Sequence, residues 1–202
     1  LPSYARWLRI MSILLPNILR IASFLALLIL STLPVSAAED AWQIWKSDGV
    51  HALMRHAIAP GTGDPANFTL GDCTTQRNLN ETGREQARNT GNVIRSKGIQ
   101  ISSVMTSQWC RCVDTAKLLD VGAVAEEPAL NSFFRDRSTE PTQTRKIKQQ
   151  LAGLADSEKR LLVTHQVNIT ALTGIFPRSG EIILIRLADE TADIEVLARL
   201  MP

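Results

Sequence analysis

The chain has 202 residues, of which 45% are hydrophobic and 21% are charged, a composition typical of one globular domain of ordinary size. Its formal net charge is +2, but three of the 22 basic residues and none of the 20 acidic ones lie before residue 39, which leaves 19 basic against 20 acidic residues in the rest of the chain. This balance excludes proteins that bind nucleic acid or membranes through a strongly basic surface.

Residues 1–38 have the pattern of a secretory signal peptide. Three arginines precede an uncharged apolar stretch, Ile21 to Leu30, and small residues follow it up to Ala37 and Ala38. The apolar stretch is shorter than the roughly 20 residues that a membrane-spanning helix needs. We therefore expect cleavage near Ala37/Ala38 and a single periplasmic or secreted domain over residues 39–202. An uncleaved N-terminal anchor is the alternative, and only then would the protein contact a membrane.

Strand and helix patterns alternate along the chain from Gly49 onward. The first strand, "VHALM", leads into a polar stretch, "APGTGDPANFTLGDCTTQRN", whose length is typical of a functional or disordered loop. In the later segment "EPTQTRKIKQQLAGLADSE", Pro141 lies in the first turn and the apolar residues share one face, which indicates a helix. The alternation predicts an α/β fold with three layers, α/β/α, around a mostly parallel central sheet, closed by two strands that form a hairpin at one edge. The further strands are predicted at "ISSVMTS", "AVAEEPAL", "RLLVTH", "EIILIRL" and "DIEVLARL", and the helices at "NETGREQARNTGNVIRSKG", "WCRCVDTAKLLD", "EPTQTRKIKQQLAGLADSE" and "QVNITALTG".

The three cysteines all follow the signal segment. In an oxidising compartment two of them are expected to pair, and Cys73 with Cys110 or Cys112 is the pairing that closes a sizeable loop. A zinc site is the weaker alternative, because a Cys-x-Cys with one distant cysteine lacks a fourth ligand at a familiar spacing. We therefore predict a disulfide and no metal site.

Polar residues collect at the ends of predicted strands. The first strand ends in Arg55 and His56, "TSQWCR" places Arg111 in the first turn of the next helix, and "LLVTH" ends in His165. Ligands of parallel sheets bind beyond the carboxyl ends of the strands, so these side chains are expected to surround one site. The remaining histidine, His51, lies inside the first strand and is expected to be a packed or surface side chain.

Two arginines beside two histidines suit a tetrahedral dianion. The planar guanidinium fork binds phosphate oxygens in pairs and stays charged. Neighbouring positive charge favours the neutral imidazole, which is a nucleophile towards phosphorus. The pattern predicts phosphoryl transfer through a phosphohistidine.

The segments "LMRHAIAP", "TSQWCRCVDTA" and "LLVTHQVNI", in this order and each at a strand end, resemble the motifs of the histidine phosphatase superfamily, also called phosphoglycerate mutase-like. "LNETGREQAR" is similar to a helix start in that family. The resemblance covers residues from about Gly49 to Leu200. It implies that His56 is the nucleophile, that Arg55 and Arg111 hold the phosphate, and that His165 donates to the phosphoryl oxygens, without metal or cofactor.

Two features depart from the family pattern. Ala57 replaces the glycine of the Arg-His-Gly motif, where a positive φ is one reason for glycine. Ser132 and Gln166 stand where two branches of the family carry their acidic proton donors. The family's small phosphohistidine phosphatases also lack the first of these acids. The candidate donors in this chain are Asp64, Asp136 and Glu140.

The expected function is a metal-independent phosphomonoesterase that hydrolyses a small phosphorylated substrate, such as an envelope metabolite or sugar phosphate. The alternatives are a phosphohistidine phosphatase and a non-catalytic anion-binding pseudoenzyme that uses the same pocket. Arg77 and Arg135 are candidates for further substrate contacts, with solvated surface positions as the alternative. Trp109 is expected to be a packing residue.

Overall fold

The computed structural model describes residues 37–188 and 193–202. The predicted signal segment up to residue 36 lies outside this part of the chain, and Ala37 begins the first helix. Within the described ranges no helix is both long enough and apolar enough to cross a membrane. The helices are α1 (Ala37–Lys46), α2 (Glu81–Ser96), α3 (Cys110–Leu119), α4 (Glu140–Ala152) and α5 (Gln166–Thr173), and the strands are β1 (His51–Arg55), β2 (Ser103–Thr106), β3 (Val124–Glu126), β4 (Arg160–Thr164), β5 (Ile182–Leu187) and β6 (Ile194–Leu200).

The six strands form one sheet in the order β3-β2-β4-β1-β5-β6. The first four in this order are parallel, β5 runs antiparallel to β1, and β6 runs antiparallel to β5. The predicted α/β fold, with a mostly parallel sheet and a terminal hairpin at one edge, is confirmed. Because β1 and β4 are neighbours with Arg55 paired to Thr164, the residues that follow these two strands emerge side by side.

Helices cover both faces of the sheet, as the three-layer prediction requires. Alternate residues of β1 enter two separate apolar clusters: Met54 packs with the cluster that includes Trp45 of α1, and Leu53 packs with the cluster that includes Ile147 of α4. The first cluster also takes side chains from α2 and α3, and the second takes side chains from α5. Each of these large buried side chains contributes about 1.5–3 kcal/mol. The apolar packing on both faces of the sheet therefore fixes the position of the edge at which the strands end.

The start of α2 holds the chain segment that follows β1. Asn80 caps the helix by accepting a hydrogen bond from the backbone N–H of Gly83 at 2.8 Å. A Cβ on Gly83 would lie 2.0 Å from the carbonyl oxygen of Ile58, so only glycine allows this approach. Gln86 then accepts the N–H of Ile58 at 3.0 Å and donates to the carbonyl of Ser179 at 3.0 Å. The motif "LNETGREQAR" thus fixes the backbone beside the strand end.

The long polar loop after β1 is ordered by contacts to its surroundings. A disulfide joins Cys73 in the loop to Cys110 at the start of α3, across a sequence separation of 37 residues. A crosslink over a loop of this length stabilises the fold by about 4 kcal/mol in the chain-entropy account. Within the loop, Arg77 donates from Nε to the carbonyl of Gly63 at 2.7 Å and from Nη1 to the carbonyl of Ala59. Of the two predicted disulfide pairings, the structure has the one with Cys110.

Candidate active site

The two histidines that follow β1 and β4 lie beside each other at the carboxyl edge of the sheet. The backbone N–H of His56 donates to the carbonyl of Thr164 at 3.0 Å, which continues the β1–β4 pairing past the end of both strands. The ring centroids of His56 and His165 are 5.5 Å apart with the ring planes at 70°. Both side chains are buried. The sheet topology alone therefore brings together the two imidazoles that the sequence predicted.

One ring nitrogen of His56, Nε2, carries no hydrogen. Its Nδ1 lies 2.8 Å from the carbonyl oxygen of Ala57, and because a carbonyl only accepts, Nδ1 carries the hydrogen. Nε2 then keeps its lone pair and accepts a hydrogen bond from Nε of Arg111 at 3.2 Å. Burial, and secondly the charge of Arg111, lower the pKa of His56 to about 3. The imidazole is neutral over the ordinary pH range, as a nucleophile must be.

Ala57 fits the backbone at the position where the family carries glycine. Among the described non-glycine residues only Asp120 has a positive φ, so the conformation at Ala57 does not require glycine. The methyl group is fully buried, and the N–H of Ala57 donates to Oγ1 of Thr115 at 3.1 Å. This departure from the motif leaves the geometry of His56 intact.

His165 belongs to a chain of hydrogen bonds that leads away from the site. Its Nδ1 lies 3.4 Å from Nη2 of Arg111, which can only donate, and its Nε2 lies 2.8 Å from Oγ of Ser107. Ser107 in turn lies 3.2 Å from Oδ1 of Asn131. Burial and the charge of Arg111 hold the pKa of His165 well below its usual value. With Nδ1 accepting, the hydrogen of His165 is assigned to Nε2 and the ring is neutral.

Cys112 is the free cysteine of the described chain, and it packs beneath His165. Its Sγ lies 3.5 Å from Nε2 of that ring. Burial raises the pKa of the Cys112 thiol to about 12, so the sulfur stays protonated. Since the thiolate is the reactive form of cysteine, this side chain acts as neutral packing.

Arg111 is the centre of charge in the site. Its side chain is only 3% exposed, and the Asp64 carboxylate, at 10% exposure, binds it with Oδ1 at 2.7 Å from Nη1. A second hydrogen bond joins Nη2 to Oδ2 of Asp64 at 3.2 Å. The guanidinium is thus fixed in the first turn of α3, with Nε directed at His56 and Nη2 also directed at His165.

Arg55 offers donors that lack a partner. Its Nη1 donates to the carbonyl of Pro177 at 2.9 Å, whereas its Nε is buried and has no hydrogen-bond partner among the described residues. A buried N–H that makes no hydrogen bond costs about 1–3 kcal/mol. No carboxylate of the described residues pairs with Arg55, so its positive charge is available to an anion in the site.

A cavity of about 790 Å³ lies over these side chains. Its lining includes four arginines and two aspartates, which gives a formal charge of +2 when both histidines are neutral. This charge complements a phosphate dianion, and the volume is in the range that encloses a small organic ligand. The charged lining residues are Arg55, Asp64, Arg77, Arg111, Arg135 and Asp136.

Comparisons with known proteins agree with this geometry. The family model of the histidine phosphatase superfamily (branch 1) matches residues 52–134, which include Arg55, His56 and Arg111. The match assigns residues 52–134 to the histidine phosphatase superfamily. A search of curated protein sequences finds no significant match.

Solved structures share the fold of this chain at low sequence identity. The protein histidine phosphatase SixA complexed with tungstate aligns with a TM-score of 0.53 and 18% identity, over 76% of this chain and 97% of that chain. A mycobacterial glucosyl-3-phosphoglycerate phosphatase aligns with a TM-score of 0.55 and 13% identity, over 74% and 97%. A phosphoserine phosphatase from Entamoeba histolytica in complex with 3-phosphoglyceric acid aligns with a TM-score of 0.51 and 12% identity, over 74% and 95%.

The two arginines predicted to contact substrate lie at the wall and mouth of the cavity. Arg77 lines the wall, but its Nε and Nη1 already bind carbonyls of the long loop. Arg135 is exposed at the mouth, where its Nη2 donates to the backbone carbonyls of Asp64 and Pro65. Both arginines therefore hold the long loop in place, and each adds positive charge to the cavity.

The three candidate proton donors have different surroundings. Asp64 binds Arg111, as described above. Asp136 lines the cavity, but its Oδ1 accepts hydrogen bonds from the backbone N–H and Oγ of Ser138, which hold its pKa below the usual value. Glu140 begins α4, pairs with Arg137 at 3.2 Å and does not line the cavity. The structure therefore brings Asp64 and Asp136 to the site and leaves Glu140 outside it.

Trp109 is a site residue that the sequence interpretation assigned to packing. Its Nε1 donates to Oδ2 of Asp64 at 3.1 Å, and its ring stacks on Phe68 at 4.9 Å. It also meets the ring of His165 edge-on at 5.4 Å. Its place two residues before Arg111, at the cap of α3, was the available signal. Asn131 was missed as well, and its one signal was its position beside Ser132 in the segment where the family carries an acid.

No group of three or more His, Cys, Asp or Glu side chains in residues 37–188 and 193–202 is arranged to hold a metal ion. The zinc alternative for the cysteines is not supported, because Cys73 and Cys110 bind each other.

Proposed function

We propose that this protein is a metal-independent phosphomonoesterase that works through a phosphohistidine on Nε2 of His56. The observation that carries the proposal is that this lone pair lies beside the guanidinium of Arg111 in a cavity that Arg55 also lines. Within the described chain, Nε2 of His56 accepts one hydrogen bond, from Nε of Arg111 at 3.2 Å, and Nε of Arg55 has no hydrogen-bond partner. A phosphoryl group in this cavity would lie against the nucleophile, and the positive charges of Arg55 and Arg111 would stabilise it.

The reaction has two steps. In the first, the Nε2 lone pair of His56 forms an N–P bond while the P–O bond to the leaving group breaks, and the leaving oxygen takes a proton. In the second, water attacks phosphorus, the N–P bond breaks and phosphate leaves with the imidazole restored. The carbonyl of Ala57 accepts the Nδ1 hydrogen throughout, so it stabilises the positive charge that the phosphorylated ring carries.

His165 changes its role when substrate binds. In the hydrogen-bond arrangement described above its Nδ1 accepts from Arg111. A phosphoryl dianion beside the ring favours protonation of Nδ1, because a nearby negative charge raises the pKa of an imidazole. The protonated ring then donates to a phosphoryl oxygen, and Ser107 holds it in the required orientation through Nε2.

The direct test uses p-nitrophenyl phosphate. His56→Ala is expected to abolish hydrolysis while thermal unfolding stays cooperative, and His51→Gln is the matched control because His51 lies outside the cavity lining. Wild-type protein denatured at alkaline pH after mixing with ³²P-labelled substrate should carry label on His56. Unchanged turnover in His56→Ala would exclude the mechanism. Ligand binding without turnover or label in the wild type would indicate a pseudoenzyme.

A second candidate function is removal of phosphate from phosphohistidine. Both carboxylates that line the described cavity already accept hydrogen bonds, Asp64 from Arg111 and Asp136 from Ser138. This favours a leaving group that needs no strong acid. The fold likeness to SixA, a protein histidine phosphatase, supports the same class. Parallel assays of a phosphohistidine peptide and a phosphoserine peptide separate the two candidates, since only an acid-independent enzyme prefers the former strongly.

For the natural context we propose a small phosphorylated envelope metabolite, such as a sugar phosphate, met in the periplasm or outside the cell. The proposal rests on the signal pattern of residues 1–38 and on the size of the cavity. Mass spectrometry of the N-terminus of protein recovered from a periplasmic fraction is expected to show cleavage near Ala37/Ala38. A screen of phosphorylated sugars then tests the substrate class.

A further inference from the structure

Asp64 is held in place from both its side chain and its backbone. Beside its two hydrogen bonds to Arg111, its Oδ1 accepts the backbone N–H of Arg77 at 3.2 Å and its Oδ2 accepts Nε1 of Trp109 at 3.1 Å. Arg135 binds its carbonyl oxygen from across the cavity mouth. A carboxylate has about four lone-pair sites, and here all four are occupied by donors.

Every donor of Arg111 is engaged as well. A guanidinium group has five N–H bonds. Nε donates to His56, Nη1 donates to Asp64 and to the carbonyl of Arg77, and Nη2 donates to Asp64 and to His165. Asp64 therefore binds the end of the fork, while the edge formed by Nε and Nη2 faces the two imidazoles.

The contacts along that edge are long and are made to neutral groups. They measure 3.2 Å to His56 and 3.4 Å to His165, whereas the two contacts to the charged Asp64 carboxylate measure 2.7 Å and 3.2 Å. A phosphoryl group between the imidazoles would take over the Nε and Nη2 donors and leave the contact at the end of the fork unchanged. The substrate then completes an arrangement that Asp64 has already oriented.

The surroundings also decide against a proton on Asp64. Burial raises the pKa of this carboxyl, but the hydrogen bonds and charge of Arg111 outweigh burial, and the pKa lies below its usual value. An ionised carboxylate with four donors around it has no hydrogen to give to a leaving group. The sequence placed Asp64 among the candidate acids, and its contacts suit the opposite role.

We propose that Asp64 is a positioning residue, which holds the end of the Arg111 guanidinium so that its edge faces His56 and His165, and that it does not protonate the leaving group. The proposal rests on the phosphatase function proposed above and identifies the part that the long loop plays in it. The loop carries the carboxylate, and the disulfide between Cys73 and Cys110 ties that loop to the helix that carries Arg111.

The test compares wild type and Asp64→Asn over a series of aryl phosphates, from p-nitrophenyl phosphate to phenyl phosphate, whose leaving groups need progressively more protonation. Positioning predicts a loss in kcat of about 100-fold that is the same for every substrate, with KM not raised. It also predicts that any fall in rate on the high-pH side of the pH–rate profile, the basic limb, is retained in Asp64→Asn. Asp72→Asn is the matched control, because Asp72 lies in the same loop but only caps Thr74. It should stay within about twofold of wild type, as for a surface change.

Three results would overturn the proposal. A loss that grows with the pKa of the leaving group, together with a vanished basic limb, would make Asp64 the acid. A gain in kcat would mean that Asp64 competes with the substrate for the guanidinium of Arg111. If Asp64→Asn does not fold, a ¹³C NMR titration of the Asp64 carboxyl carbon in the wild type decides: it should stay ionised wherever the enzyme is active, and titration along the basic limb would contradict positioning. A wild type without activity on any phosphate ester would instead overturn the proposed function itself.

Discussion

The buried neutral state of His56 predicts a measurable loss of stability in acid. In the unfolded chain a histidine binds a proton near its ordinary pKa of about 6.5, whereas in the folded protein the pKa of His56 is about 3. Between these values the unfolded state holds one more proton than the folded state. Folding stability therefore falls as pH decreases, by about 1.4 kcal/mol per pH unit for this one residue.

The perturbation that isolates this effect is His56→Gln. Between pH 7 and pH 4.5 the linkage relation gives a loss of about 2.5 kcal/mol from His56 in the wild type and none from glutamine at the same position. The absolute stability of the variant is not the readout, since the substitution also changes contacts to Arg111 and Ala57. The readout is the difference between the two pH values within each protein.

Urea unfolding at a series of pH values measures this difference, because the free energy of unfolding is obtained at each pH from one transition. Above pH 8 histidines are unprotonated in both states, so the two curves should run parallel there. Between pH 7 and pH 4.5 the wild-type curve should fall more steeply. Parallel curves over the whole range would mean that His56 is protonated in the folded protein at mildly acidic pH, and the nucleophile argument would fail.

Three further predictions concern the disulfide, the close backbone contact at the start of α2 and the mouth of the cavity. Replacing Cys73 by serine should lower the free energy of unfolding by about 4 kcal/mol under oxidising conditions, measured by urea unfolding, and a loss below about 1 kcal/mol would contradict the loop-tethering role of the disulfide. Gly83→Ala should cost about 1–3 kcal/mol or prevent folding, whereas Gly153→Ala, whose Cβ would have no contact closer than 3.7 Å, should be tolerated. Phe134, 54% exposed in the cavity lining, should contact the organic part of the substrate, so Phe134→Ala should raise KM for p-nitrophenyl phosphate about threefold to tenfold. Phe176→Ala, at a phenylalanine 69% exposed outside that lining, should leave KM unchanged, and equal effects of the two variants would refute the assignment.

The reacting groups could be predicted from sequence because sheet topology alone fixes their place. Parallel strands deliver their carboxyl ends to one edge, and the β1–β4 register makes His56 and His165 neighbours without any help from loop geometry. Arg111 follows because it lies in the first turn of the helix after β2. A pattern of strands with polar ends was therefore enough to locate the site.

The pairing of the cysteines and the role of Trp109 depended on contacts that no local pattern contains. Cys110 and Cys112 are two positions apart on α3 and face different directions, so only the path of the long loop decides which of them meets Cys73. Cys112 instead faces His165 from the core. The indole of Trp109 is both a packing surface and a donor, and its function was set by the carboxylate that the loop brings to it.

The roles of the acids are the part that sequence could not assign, because a carboxylate takes its chemistry from its partners. Asp64 and Asp136 both lie in polar segments and both reach the cavity, yet one is surrounded by the donors of Arg111, Arg77 and Trp109 and the other by a single serine. The first arrangement stabilises charge on the carboxylate and orients a guanidinium. In the second arrangement the Asp136 side chain is exposed, and its rotation would free the carboxylate from Ser138. If turnover of alkyl phosphates requires a protein acid, Asp136 is the candidate carboxyl group that lines the cavity without binding an arginine, and Asp136→Asn should then slow alkyl phosphates far more than p-nitrophenyl phosphate. An equal effect on both would mean that water protonates the leaving group, which in turn strengthens the case for a phosphohistidine substrate.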